Sequence, residues 1–305
     1  YSAYCKRHFP ETRYKHIIYK PILKKMSSFA GWDLYGNLCV VGKTQGLNFL
    51  LNIFFGTVLN AAAGIAGQVT GIIMQFANNV IMAVRPQIMI SYAQKQYARM
   101  NYLINRSSIF IYLLILMLSS PLFVDCYFVL KLWLKIVPDY AVSLCRISLL
   151  SGLLSIINST VSAGIHATGN IKKISFISGT CYLLVIPFVY IAFKLGVAPY
   201  WGYGISTIVM YIILILNGVI LHSMLREFYL AKYLKMIIQL TFITMLYLAI
   251  LFFSSECIEM SFLRLVVLCM ESVFIAIIFL LLILSKEEKI KMKKMISNKL
   301  SKFKQ

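Results

Sequence analysis

The chain has 305 residues, 60% of them hydrophobic and 13% charged, with a mean hydropathy of +0.80. A soluble domain carries about 25% charged and about 45–50% apolar residues, so a water-soluble globular fold is excluded. Thirty Lys and Arg stand against ten Asp and Glu, for a net charge of +20. They fall in short clusters between long apolar runs, which is the distribution of a polytopic membrane protein and not of a nucleic-acid binder. Position 1 is Tyr and no signal peptide opens the chain, so the expectation is a portion of a longer product.

A spanning helix needs about 20 mostly apolar residues to cross about 30 Å of hydrocarbon. Eight stretches meet that requirement, at 29–52, 57–84, 107–124, 140–166, 174–193, 203–223, 236–253 and 262–284. They divide the chain into a basic segment at 1–28, six helices at 29–223, two more at 224–285 and a basic tail at 286–305. The first, second and fourth spans are rich in Gly, Ala, Ser and Asn, whereas the others are nearly pure Leu, Ile, Val and Phe.

The connecting segments alternate strictly in charge. One side collects 24 of the basic residues, and the other has only Lys131, Lys135, Lys194 and Arg264. The positive-inside rule makes the first side cytoplasmic and puts both ends of this chain there, facing anionic lipid headgroups. In the tail, Met292, Met295, Ile296, Leu300 and Phe303 share one face of a helical wheel. That predicts a helix lying on the membrane surface, with a solvated basic tail as the alternative. Trp133 and Trp201 open the way into the fourth and sixth spans as interfacial anchors.

Four ionisable residues fall inside the spans: Asp33, Lys43, Arg146 and Glu271. On the second span a helical wheel gathers Asn60, Gly64, Gly67, Gln68, Gly71, Gln75, Asn78, Asn79 and Arg85 into about a third of the circumference. The first span carries a similar line of Asp33, Asn37, Thr44, Asn48 and Asn52, with Lys43 set off to one side. Any one of these residues also reads as helix-packing glue. A stripe along a whole membrane helix reads instead as the wall of a wet pathway. Gly42 and Gly46 lie on another face, where close helix approach explains them. Lys43 and Arg146 are the deepest cations, each expected to be hydrated or paired, and Arg146 also reads as snorkelling to the interface. Asp33 reads either as a coupling-ion site or as a carboxylate at a helix start. Arg264 and Glu271 read as structural. The seven cysteines and four histidines show no metal-ligand spacing. Only Cys126 and Cys257 share the outer side, and the spacing gives no support for a bridge between them.

The motif text goes further. Asn52-Ile-Phe-Phe-Gly56, Asn60-Ala-Ala-Ala-Gly-Ile-Ala66, Ala83-Val-Arg-Pro-Gln-Ile88 and Ser91-Tyr-Ala93 follow Phe29-Ala-Gly-Trp32. Leu132-Trp-Leu134, Val137-Pro-Asp-Tyr140 and Ala167-Thr-Gly-Asn-Ile-Lys172 come after them. Together they resemble the bacterial O-antigen and capsule repeat-unit flippases of the multidrug/oligosaccharidyl-lipid/polysaccharide exporter superfamily, over nearly the whole chain. The resemblance implies an all-α bundle that is the second lobe of a two-lobed alternating-access exporter in the bacterial inner membrane. Residues 1–28 would link it to a first lobe, which this chain lacks.

The implied cargo is an undecaprenyl-pyrophosphate-linked oligosaccharide. Asn37, Asn48, Asn60, Gln68, Gln75 and Asn78 would face its sugars, and Lys43, then Arg146, then Arg85 would face its pyrophosphate. Flipping breaks no bond and needs no cofactor, so no enzyme is expected. The alternatives are a cation-coupled multidrug exporter of the same superfamily, with Asp33 as its ion site, and a truncated membrane fragment that transports nothing.

Overall fold

The computed structural model describes residues 2–9 and 19–283. The proposed surface helix of the tail, at 286–305, and part of the basic segment lie outside them. Among the described residues the chain is helical without strands. A short helix, α1 (Ser2–His8), precedes α2 (Lys20–Phe55), α3 (Thr57–Ala93), α4 (Tyr97–Val124), the short α5 (Cys126–Leu134), α6 (Ala141–Ala167), α7 (Lys172–Lys194), α8 (Trp201–Met224), α9 (Leu230–Glu256) and α10 (Phe262–Ile283). Eight of these, all but α1 and α5, are long and apolar enough to cross a membrane. They coincide with the eight spans read from hydropathy, and the chain is a multi-pass helical membrane bundle.

The differences lie at the ends. Backbone hydrogen bonding continues past an apolar window wherever no residue breaks it. Thus α2 starts at Lys20 inside the basic segment, with a proline in its first turn, where a missing N–H costs nothing. Helix α3 also runs past its apolar window to Ala93, through Pro86, which costs it one backbone hydrogen bond. The connection at 126–134 is a helix, α5, which leaves Leu132 and Trp133 exposed, as interfacial anchors should be.

Helix α2 packs on α7, α7 on α8, α8 on α6 and α6 on α3, with α4 filling the angle between α3 and α6. Helices α9 and α10 lie outside this six-helix arc, against α4. The α2–α7 contact is built on small residues. A Cβ at Gly46 would stand 2.6 Å from Ile186 Cδ1, and one at Gly179 would stand 2.9 Å from the Tyr35 ring. Lipid gives apolar helices little reason to prefer each other, so close backbone approach and interhelical hydroxyl bonds hold the bundle. The pairs Tyr112–Thr244 at 2.8 Å and Ser120–Ser272 at 3.1 Å tie α4 to α9 and α10. The outward faces of α9 and α10 carry exposed Ile238, Met245, Phe253, Met270, Phe274 and Leu282, the composition of a lipid-facing surface.

Candidate functional site: two polar chambers between α2 and α3

Helices α2 and α3 join at Gly56, whose φ of +81° with ψ of −176° is a conformation that L side chains rarely adopt. The two helices lead away from this junction as two legs, α2 packed on α7 and α3 on α6. Beyond it they are separated by the inner faces of α6, α7 and α8, which close the back of a cleft. Two chambers of about 400 and 410 Å³ occupy the cleft and meet at Val40 and Tyr182, which line both.

The chamber farther from Gly56 is lined by Asp33 and Asn37 of α2, Arg85 of α3, Asn158 and His166 of α6 and Asn217 of α8. Asn37 Nδ2 donates to the Asp33 carboxylate at 3.2 Å and to its carbonyl at 3.0 Å. Ser178 donates to Asn217 Oδ1 at 2.9 Å, and Asn217 Nδ2 donates to Asn158 Oδ1 at 2.7 Å. A fully buried amide thus fixes the orientation of one that faces the chamber. This end brings a carboxylate, an imidazole and a guanidinium from three helices to one cavity.

The chamber nearer Gly56 is of a different kind. Lys43 is the one charged side chain among the described residues that line it, and the others are apolar or hydroxyl-bearing. Its Nζ donates to Ser206 Oγ at 3.3 Å and lies 5.2 Å from the centre of the Tyr182 ring. Hydroxyl and π-face contacts stabilise an ammonium without neutralising it. The buried hydroxyls of Thr70 and Ser148, on the α3 and α6 walls, have no hydrogen-bond partner. Buried hydroxyls are normally satisfied, so this wall is set for water or for a ligand rich in hydroxyl and oxyanion groups.

The remaining polar positions follow the two legs. Asn48, Asn52 and Asn60 line a groove of about 550 Å³ near Gly56. Gln68, Gln75 and Asn78 are exposed on α3. A Cβ at Gly64, Gly67 or Gly71 would meet nothing within 4 Å, so these glycines, unlike Gly46, do not serve helix packing within this chain. The stripe on α3 faces open space.

Of the two deep cations expected to face the cargo, Lys43 lines a chamber and Arg146 does not. Lys43, set off from the polar line of α2, still enters the cleft because α7 and α8 wrap round to meet it. Arg146 does not reach the chambers. Its Nε donates to the Phe123 carbonyl at 2.8 Å and its Nη2 to that of Val124 at 3.0 Å, with the rings of Phe123 and Phe252 against the guanidinium. It satisfies the last carbonyls of α4, a structural role that removes it from the cargo-facing set. Arg264 pairs with the buried Asp125 carboxylate, its Nε at 3.1 Å from Oδ2. Glu271 accepts from Ser254 at 2.9 Å. All seven cysteines are free, with Cys126 buried and Cys257 exposed.

His166, Tyr182, Ser206 and Asn217 were not legible as site residues. The last two carried a usable signal, as polar residues in a largely apolar span. Comparison with protein-family models, with curated proteins and with solved structures finds no significant match.

Proposed function

We propose that the chain forms one cargo-binding lobe of a flippase for undecaprenyl-pyrophosphate-linked oligosaccharides, in the bacterial cytoplasmic membrane. The observation that carries this reading is Lys43, an uncompensated cation in a chamber walled by hydroxyls and opening on an amide-lined cleft. A cation deep in a membrane helix costs about 3 kcal/mol, which suits a site whose occupant brings the opposite charge. Amides and hydroxyls both donate and accept, as sugar hydroxyls require. The motif resemblance supports the family, and the basic-residue alternation supports placing the Asp33–Arg85 end at the cytoplasm. In this reading the cargo enters between the legs past Arg85. Its pyrophosphate reaches Lys43 beyond Tyr182, its lipid tail stays in the bilayer, and a second lobe closes the front. No bond is made or broken.

The test is complementation of a strain that lacks its repeat-unit flippase and is matched in cargo. The full-length gene is compared with its Lys43→Ala version and with the 305-residue chain alone. Rescue by full length and loss with Lys43→Ala is expected, and the 305-residue chain should be silent. A well-expressed full-length protein that does not rescue overturns the reading. One observation favours a cation-coupled exporter as second reading: Asp33, His166 and Arg85 share a chamber. That reading expects Asp33→Asn to abolish efflux of a cationic drug while Lys43→Ala leaves it intact.

A further inference from the structure

Away from the chambers, a third cavity opens between the first turns of α2 and the α6–α7 turn. Its volume, about 740 Å³, exceeds that of either chamber. Lys24 and Lys25 line one wall and Lys172 the other, and no carboxylate occurs among the described residues around it. Lys172 Nζ lies 5.4 Å from the centre of the Trp32 ring, which holds the cation beside the cavity. Gly169, at φ +73°, turns the chain sharply there, and α7 begins at Lys172 with no side chain capping its first amides. Those amides add partial positive charge to the same space.

The cavity has an apolar neighbour on the same helix. Ile22, Met26 and Phe29 are exposed, and their i, i+4, i+7 spacing puts them on one face of α2 that adjoins Lys25 and meets the cavity at Phe29, with Lys24 farther round the helix. With 36 residues, α2 is about 54 Å long against about 30 Å of hydrocarbon, so one end projects into the headgroup layer. We infer that this cleft binds the phosphate of an anionic glycerophospholipid between Lys24, Lys25 and Lys172, with the acyl chains lying along Ile22, Met26 and Phe29. A free phosphate would use the lysines and leave the apolar face idle. The inference needs only the membrane placement of the bundle and stands whatever the cargo is.

The test uses the full chain, purified in neutral detergent and offered phosphatidylglycerol or phosphatidylcholine, with retained lipid counted by native mass spectrometry. Wild type should keep phosphatidylglycerol in preference to phosphatidylcholine. Its retention should fall about fivefold for each lysine removed along the series Lys172→Gln, K25Q/K172Q, K24Q/K25Q/K172Q. The K24R/K25R/K172R variant should retain it, and so should a control, R226Q/K232Q/K235Q, that removes three cations elsewhere. Because Lys172→Gln alone carries a defined loss, the series decides the matter even if the triple variant folds poorly. Equal retention by wild type and Lys172→Gln, equal loss in the control, or displacement of the lipid by millimolar inorganic phosphate overturns the assignment.

Discussion

Lys43 sits where a membrane helix does least well to carry a charge, and its neighbours explain why it is tolerated and not why it is there. Ser206 and the Tyr182 ring solvate the ammonium without cancelling it. Replacing it with Met should therefore raise the resistance of the purified protein to denaturation by about 1–3 kcal/mol while transport falls at least tenfold. Lost stability in Lys43→Met would show that the cation is structural. Thr70→Val and Ser148→Ala remove hydroxyls that bond nothing in the protein. Their stability should change by less than about 1 kcal/mol, so a loss of transport in either variant would report on cargo. Arg264 is the opposite case. Arg264→Ala strands the buried Asp125 carboxylate and should cost about 3–5 kcal/mol, read as a lowered melting temperature in detergent.

At the scale of elements, the glycines of α2 and α3 divide into two populations, as their positions on the two helical wheels suggested. Gly46 is pressed against Ile186, whereas Gly67 borders the Lys43 chamber with nothing within 4 Å of a Cβ. Gly46→Ala should destabilise the α2–α7 pair by about 1–3 kcal/mol through overpacking. Gly67→Ala should be neutral or stabilising by up to about 1 kcal/mol, because alanine favours the helix. Gly67→Leu should then fill the chamber and abolish transport in a protein that still melts like wild type. Equal destabilisation at the two positions would mean that α3 is covered by a partner in the folded protein.

The eight-helix bundle raises a prediction about sidedness at the scale of the whole molecule. Cys257 is exposed beyond the end of α9, on the side with few basic residues, whereas Ser28 lies near the Lys24–Lys172 cleft. In intact cells a membrane-impermeant maleimide should label Cys257. A Ser28→Cys substitution should react only after the membrane is opened. The reverse pattern would invert the bundle and place Arg85 at the outer mouth.

Much of this architecture was legible in the residues alone. Span number follows from hydropathy, because a bilayer imposes one length on every crossing. The stripe on α3 was legible too, since its residues share one helix and a helix has a single period. What the residues could not settle depended on other helices. Lys43 enters the cleft only because α7 and α8 reach round to it, and Arg146 leaves it only because α4 ends beside it. Secondary structure and topology in a membrane are set by local composition against a uniform solvent. The surroundings of a side chain are set by tertiary neighbours, far apart in the chain, that no local pattern specifies.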